Sequence, residues 1–387
     1  MPDVILTPCS NYQSDTCRLA LEAALAPLGG LDWVRPGMRV GIKANLVSAM
    51  RPDQAATTHP ALLQALTQLL QERGAQVVLG DSPGGLYNAA YVGRIYHATG
   101  MDRTGAELNK DFSLRQAVFP EARVCRQFTY TSWLDNCDAI ISFCKLKSHG
   151  MMGMSAAAKN LFGTIPGTMK PEYHFRYPDP KDFARMIVDL NEYFQPRLHL
   201  VDAVVAMEGN GPTAGTPKPV GCILAGENPH KVDLVCASLI GIETGDVPTL
   251  AAAMERGLCP ENTKQLDILG PWRDYVQKDF RLIRERSGLQ FQNQMHGRAG
   301  KLFSRFLGRY LAARPQVDKA ACIGCKKCVE ICPAHAIEMR NRRPVIQRQS
   351  CIRCFCCQEF CPKGAMRVRR SPLASLLVPG AKGKTEN

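Results

Sequence analysis

Residues 138–149 read Asp-Ala-Ile-Ile-Ser-Phe-Cys-Lys-Leu-Lys-Ser-His, and the first seven of them decide the fold class. Asp138 to Cys144 (DAIISFC) is a continuous apolar run, the pattern of a strand buried on both faces. Polarity then returns at once with Lys145, Lys147, Ser148 and His149. Upstream, Met38 to Lys43 (MRVGIK) and Ala75 to Gly80 (AQVVLG) read as shorter strands. Between those two, Pro60 to Arg73 has helical spacing, with Leu62, Leu63, Leu66, Leu69 and Leu70 on one face. Pro60, directly after His59, marks the start of that helix, because proline is tolerated in a first turn. Downstream, Leu198 to Val201 and Gly221 to Ala225 give two more strands, and Val232 to Ile240 a helix. Strands alternating with helices predict an α/β domain, a mostly parallel sheet with flanking helices, over residues 1–245.

Beyond that domain the pattern weakens. Residues 246–314 read as a mixed helical region and basic linker, 315–370 as a small cysteine-rich domain, and 371–387 as a disordered tail. Within the linker, Lys301 to Leu311 (KLFSRFLGRYL) is a basic amphipathic helix. It reads either as a linker helix packed on its own protein or as a contact for a membrane surface or an acidic partner.

The chain has 387 residues and a formal net charge of +13, and the charge is unevenly placed. Residues 1–280 hold 26 Lys and Arg against 29 Asp and Glu, whereas 281–314 hold 8 against 1 and 315–370 hold 12 against 4. The basic character therefore belongs to the linker and the cysteine-rich domain. No apolar run reaches the ~18 residues of a membrane span, and no basic stretch followed by an apolar core opens the sequence. Seventeen cysteines, nine of them within 322–361, point to reduced thiols, and the expected location is the cytoplasm. No G-x-G-x-x-G follows an early strand and no G-x4-G-K-[ST] occurs, so the common nucleotide sites are not expected.

The cysteine-rich domain carries the most specific signal. Cys322, Cys325, Cys328 and Cys332 make C-x2-C-x2-C-x3-C followed by Pro333. Cys351, Cys354, Cys357 and Cys361 repeat it, followed by Pro362. This is the run of bacterial two-cluster ferredoxins. Three close thiolates wrap one face of a cubane, and the fourth iron takes its ligand from the other half. One [4Fe–4S] cluster is thus expected on Cys322, Cys325, Cys328 and Cys361, and a second on Cys351, Cys354, Cys357 and Cys332. Zinc prefers separated C-x2-C pairs to triplets. Cys356, a ninth cysteine, reads as a packing thiol or as an alternative ligand. The expected fold is a small α+β two-cluster ferredoxin domain. Its Lys and Arg residues either compensate the anionic clusters or steer an acidic electron donor, a ferredoxin or flavodoxin. No aromatic stacking pattern accompanies the charge, so nucleic acid is not expected.

In open α/β sheets ligands bind beyond the carboxyl ends of strands, and here those ends are polar. They carry Lys43 and Asn45; Asp81, Ser82 and Pro83-Gly84-Gly85; Lys145, Lys147, Ser148 and His149; and Asp202 followed by Glu208-Gly209-Asn210-Gly211-Pro212. Four such ends converging would suit an anionic small molecule. Lys145 and Lys147 lie two apart and face one side of an extended segment. The segment Gly150 to Gly167 (GMMGMSAAAKNLFGTIPG), with Lys159 and Asn160 inside it, is expected as a glycine-rich loop that closes over substrate.

These residues resemble the family known as domain of unknown function 362, in the subgroup with an added ferredoxin domain. The match runs through Lys43-Ala-Asn45, Thr57-Thr-His59-Pro60, Gly80-Asp81-Ser82-Pro83, Lys145-Leu-Lys147-Ser-His149, Lys159-Asn160-Leu-Phe-Gly163 and Val201-Asp202. A more distant likeness to the nickel-pincer lactate racemases carries no residue over. The resemblance implies a fold and leaves the chemistry open.

The expected function is an anaerobic iron–sulfur oxidoreductase. Low-potential electrons pass through two [4Fe–4S] clusters to a small anionic molecule at the strand ends. His149, Asp81 and Lys145 are the candidate catalytic groups. Lys43, Asn45, Lys147, Lys159, Asn160 and Asp202 are the candidate substrate contacts. No flavin motif is visible, so either the clusters act directly or a further, unidentified cofactor binds. The alternative is a non-enzymatic electron-transfer or assembly module serving a partner enzyme.

Overall fold

In the computed structural model, which describes residues 1–283 and 313–369, the chain divides into two units, Met1–Leu282 and Ile283–Asn387. The amphipathic stretch 301–311 and the tail 371–387 lie outside the described residues.

The strands of the first unit are β1 (Val4–Pro8), β2 (Arg39–Lys43), β3 (Gln76–Gly80), β4 (Glu107–Leu108), β5 (Leu114–Val118), β6 (Gln127–Thr131), β7 (Ala139–His149), β8 (Gly153–Ser155), β9 (Leu198–Glu208), β10 (Thr216–Gly226) and β11 (Ile268–Leu269). Nine of them form one sheet in the order β11-β1-β10-β9-β7-β2-β3-β4, with β8 folded back on β7; β5 and β6 pair separately. Neighbours from β9 to β4 are parallel, and β10 runs against both β1 and β9. The mostly parallel sheet expected from the sequence is therefore present, with one antiparallel strand inserted.

The helices are α1 (Ser14–Leu25), α2 (Pro60–Glu72), α3 (Ala89–Thr99), α4 (Ala157–Asn160), α5 (Lys170–Arg176), α6 (Pro180–Phe194), α7 (Pro229–Leu239) and α8 (Pro248–Met254). Three of them start by the same device. Proline fills the first helical position of α2, α6 and α7, and the preceding His59, Asp179 or Asn228 accepts a bond from a first-turn amide. Each such cap contributes about 1 kcal/mol.

One layer of the core joins α1, α2 and α3 to one side of the sheet: Leu21, Leu62, Leu66 and Ile95 meet Val40, Ile42, Ile141, Phe143 and Leu200. Burial of each such side chain stabilises by roughly 1.5–3 kcal/mol. On the opposite side, α4 packs with α6 and α7. There Gly80 presents no β-carbon because the Trp133 ring occupies that space. Residues 246–282, expected as a separate region, belong to this unit instead. Asn228 Nδ2 bonds the Leu258 carbonyl, α8 packs on α6, and β11 extends the sheet beside β1.

The second unit is small and repeats itself. β12 (Arg314–Val317) pairs with β15 (Met366–Arg369), and β13 (Ile337–Arg340) with β14 (Arg343–Ile346), both antiparallel. Short helices α9 (Lys327–Glu330) and α10 (Cys356–Glu359) lie inside the two cysteine motifs. The halves share their unusual backbone: Gly324 and Arg353, at matching motif positions, have φ of 69° and 59°, and Lys326 and Phe355 have 66° and 61°. Left-handed conformations cost most non-glycine residues energy. Their recurrence shows that the motif dictates the path of the chain.

Candidate functional site

The order of strands reverses between β2 and β7: from β2 the chain proceeds to β3 and β4 on one side, then returns to β7 and β9 on the other. Such a switch point is where open α/β sheets bind ligands. β7 outruns its neighbour here. β2 ends at Lys43 opposite Ser142, whereas β7 continues to His149. Lys145, Lys147 and His149 are thus part of the strand and do not follow it, and Asp202 lies within β9, paired with Lys145. Beyond the end of β2, β7 stays paired with β9 and with β8.

Lys43, Lys145 and Lys147 are each 1% exposed. A buried ammonium needs a partner, and the partners divide the site. Lys43 Nζ lies 2.7 Å from Asp81 Oδ1 and donates to the carbonyl of Ala44 (2.6 Å) and to Asn160 Oδ1 (3.3 Å). Asp81 Oδ2 accepts from the Leu46 amide, and Asn160 Nδ2 donates to the Lys43 carbonyl and to Ser142 Oγ. This group faces α4.

Lys145 points to the other side. Its Nζ lies 2.5 Å from Asp202 Oδ2 and donates to Tyr12 Oη (2.9 Å) and the Val205 carbonyl (3.1 Å). Tyr12 Oη donates to Asp202 Oδ1 (2.9 Å), and the His59 amide donates to Asp202 Oδ2 (3.0 Å). The Tyr12 and His59 rings stack with centroids 3.5 Å apart. Both rings are half-buried, and so form the cover between the ion pair and solvent. Lys147 Nζ donates to Asn45 Oδ1 (2.6 Å) and the Ala56 carbonyl (2.8 Å), which ties β7 to the loop beyond β2.

The four strand ends therefore do not form one cluster, as the sequence reading had them. Pleating sends alternate residues to opposite faces. Lys43, Asp81 and Asn160 come together on one face, and Lys145 with Asp202 and Lys147 with Asn45 on the other. His149 Nδ1 accepts from the amides of Met151 and Met152 and so caps the turn into β8. The Lys159 ammonium lies 5.6 Å from the centroid of the Phe162 ring. The glycine-rich segment expected as a closing loop is packed: Met151 to Ala158 are buried, and the Gly163 carbonyl accepts from the Ser82 amide. Sequence reasoning missed Tyr12 altogether and took His59 only as a helix start. The Thr57-Thr-His59-Pro60 motif held a signal for His59, but no local spacing marks Tyr12.

Burial lowers the Lys145 pKa, with Asp202 opposing it. Burial also lifts the Tyr12 hydroxyl well above its ordinary range, and the Asp202 charge pushes the same way. It draws His59 down to about 4. At neutral pH the cover is a neutral imidazole on a protonated phenol. Asp233, on α7, accepts from the amides of Ala157 and Ala158 at 2.7 and 3.1 Å, and burial pushes its carboxyl up to about 7.

In the second unit, Cys322, Cys325, Cys328 and Cys361 line one pocket that opens to solvent. Three come from the first motif and one from the second. Among the described residues no three Cys, His, Asp or Glu side chains close on a point fit for a single metal ion. Sulfurs spread around such a pocket fit an iron–sulfur cluster, whose irons are held at separate corners. Cys332 and Cys361 occupy equivalent settings, their sulfurs accepting from the Ala336 and Ala365 amides at 3.3 and 3.2 Å. Lys326, Lys327 and Lys363 stand on the pocket rim. Cys356 is buried, 1% exposed, and turned into the domain interior. All seventeen cysteines are free. Among the described residues no helix is long and apolar enough to cross a membrane.

Residues 314–362 match the 4Fe-4S dicluster domain, which marks the second unit as an iron–sulfur electron-transfer domain. The chain is 32% identical over 293 residues to the thylakoid-associated protein sll1697 of Synechocystis sp., covering 72% of this chain and 87% of that one. Among solved structures it is similar to the lactate racemase apoprotein of Thermoanaerobacterium thermosaccharolyticum, at 12% identity and a TM-score of 0.40, over 63% of this chain and 58% of that one. A Thermotoga maritima protein follows at 12% identity and a TM-score of 0.34, over 55% and 54%. Residues 40–238, from β2 through α7, match the domain of unknown function DUF362. The chain thus belongs to the DUF362 family, in a form that also carries a 4Fe-4S dicluster domain.

Proposed function

We propose that this protein is an iron–sulfur oxidoreductase that delivers low-potential electrons to a small anionic molecule at the switch point of the α/β unit. The observation that carries this reading is the pocket lined by Cys322, Cys325, Cys328 and Cys361. Those four would hold one [4Fe–4S] cluster, and Cys351, Cys354, Cys357 and Cys332 a second; the pair supplies one-electron transfer. Lys326, Lys327 and Lys363 on the rim suit an acidic ferredoxin or flavodoxin as donor. In the α/β unit, Lys147 and Asn45 bridge the two strands at the reversal point and are the groups best placed to meet an anion there. Lys145, whose pKa burial lowers, is the proton donor of this reading, and Tyr12 Oη holds its ammonium in place.

A second reading has its own observation. The charges of Lys43 and Lys145 are matched inside the protein by Asp81 and Asp202, as a carrier or assembly module without a substrate would require. Anaerobically purified protein separates the two. Iron near eight per chain is expected. The reduced clusters should be reoxidised by particular small carboxylates or phosphates, and Lys147→Met should abolish that reoxidation with iron content unchanged. If Lys147→Met leaves reoxidation by every acceptor intact, the enzyme reading fails and the carrier reading stands.

A further inference from the structure

The chain leaves β1 at Pro8 and enters α1 at Ser14, with Cys9 directly after the strand and Cys17 in the first turn of the helix. Both side chains are buried, 1% and 0% exposed. Their sulfurs converge on one atom, the Asn11 carbonyl oxygen, at 3.5 Å from Cys9 and 3.9 Å from Cys17. The neighbouring thiol draws the Cys9 pKa down, and the Cys9 sulfur together with burial pushes Cys17 up. The lowered pKa makes Cys9 the readier of the two to ionise, and so the attacking sulfur. The cover is thin, since Ser10, Asn11 and Gln13 of the intervening turn are exposed.

We propose that Cys9 and Cys17 form a redox-active pair that closes to an intramolecular disulfide by exchange with a small-molecule disulfide. The Cys9 thiolate attacks one sulfur of R–S–S–R and expels R–S⁻. The Cys17 thiolate then displaces the second R–S⁻ from the mixed disulfide. In total, two protein thiols and one R–S–S–R become the Cys9–Cys17 disulfide and two R–SH, and a dithiol reductant returns two electrons and two protons. The bond closes a loop containing Tyr12, whose hydroxyl accepts from Lys145 and the Val205 amide and donates to Asp202. Oxidation therefore ties both ends of the segment that covers the Lys145–Asp202 pair, and links thiol state to that site.

The test uses the whole protein, purified anaerobically and treated with glutathione disulfide or with dithiothreitol. Free thiols are alkylated, the chain is digested without reduction, and the peptides are mapped by mass spectrometry. The expected result is a Cys9–Cys17 linked pair, two hydrogens lighter than the separate thiols, which appears with the oxidant and disappears with the reductant. Cys144 and Cys236 should remain single thiols throughout. In Cys17→Ser the glutathione adduct should stay on Cys9, because the resolving thiol is gone. The proposal is overturned if wild-type protein shows Cys9 and Cys17 only as free thiols, an adduct without the cross-link, or a link from Cys9 to Cys222. The wild-type map decides even where a variant fails to fold.

Discussion

Gly163 lies so close to the Asp81 carboxylate that a β-carbon in its place would overlap Oδ1 and, beside it, the Lys43 ammonium. The ammonium has some freedom to shift, but the carboxylate is fixed by the Leu46 amide on its other oxygen. Gly163→Ala should therefore destabilise the first unit by about 1–3 kcal/mol, as overpacking of a close core does. Gly93 is the control. It sits inside α3 with open space where its β-carbon would be, and Gly93→Ala should stabilise by about 0.5–1 kcal/mol through helix propensity. Urea unfolding followed by tryptophan fluorescence reads both, because Trp33, Trp133 and Trp272 all lie in this unit. Equal effects of the two substitutions would refute the packing described around Asp81.

Lys145 and Asp202 should behave as a coupled pair. Asp202→Asn leaves a buried ammonium without its carboxylate, and a loss of about 3–5 kcal/mol is expected. Adding Lys145→Met should restore most of it, because an apolar side chain of similar length needs no counter-charge. The pH dependence has a definite sign. With its folded pKa lowered, Lys145 holds fewer protons in the folded protein than in the unfolded chain, between the lowered value and the ordinary one. Stability therefore rises with pH across that window. In Asp202→Asn the window extends to lower pH, so the variant should gain more than the wild type between pH 7 and pH 9. A double-mutant cycle at both pH values checks the claim, and additive losses would refute the coupling.

What the sequence disclosed and what it hid follow from how far apart the partners lie. The run at 138–144 announced a buried strand because burial on both faces leaves few polar positions, and Ser142 alone interrupts the apolar residues 139–144. The cysteine triplets announced their chemistry because ligand spacing is local. Lys43, Asp81, Lys145 and Asp202 could be picked out as polar residues at the ends of apolar runs, but their pairing could not. Lys145 finds Tyr12, 133 residues away, and no periodicity records a contact of that span. Strand ends were misjudged for the same reason. β7 runs on to His149 because Lys145 and Lys147 are satisfied by distant groups, and a single sequence shows them only as charges that should end a strand. Residues 246–282 looked irregular because β11 contributes only two residues to the sheet, too few for alternation to show.

His199 on β9 and His230 on α7 make the first unit sensitive to acid. Both are 1% exposed. Burial, reinforced by their mutual repulsion, draws His199 down to about 3, and burial with Arg256 nearby draws His230 down to about 4. In the unfolded chain each titrates near 6.5. The folded state thus stays neutral where the unfolded state binds protons, and stability present above about pH 6.5 is lost as pH falls through 4. Near pH 5, unfolding should take up about two protons through these groups. His199→Gln combined with His230→Gln should remove most of that slope, measured as unfolding free energy against pH from 7 to 4.5. A slope unchanged in the double variant would assign the acid sensitivity elsewhere.

Cys356 and Cys357 are adjacent, yet only one belongs to the ligand spacing. Cys357 holds the third position of its motif, equivalent to Cys328, and packs with Cys328, Ile337 and Met366 at the centre of the small domain. Cys356 is as deeply buried but is the first residue of α10, off the C-x2-C-x2-C register. Cys357→Ala should lower iron from about eight to about four per chain by removing a ligand of one cluster. Cys356→Ala should leave iron content and the spectrum of the reduced protein unchanged, with only a modest loss of stability from the missing sulfur. The exchange between halves is tested in the same way. Cys361→Ser should perturb the cluster that Cys322→Ser perturbs, since both sulfurs line one pocket, and Cys332→Ser the one that Cys351→Ser perturbs. Paramagnetic resonance of the reduced variants distinguishes the two signals. If Cys361→Ser instead matched Cys351→Ser, each motif would hold its own cluster with all four of its cysteines, and the arrangement around the pocket would be refuted.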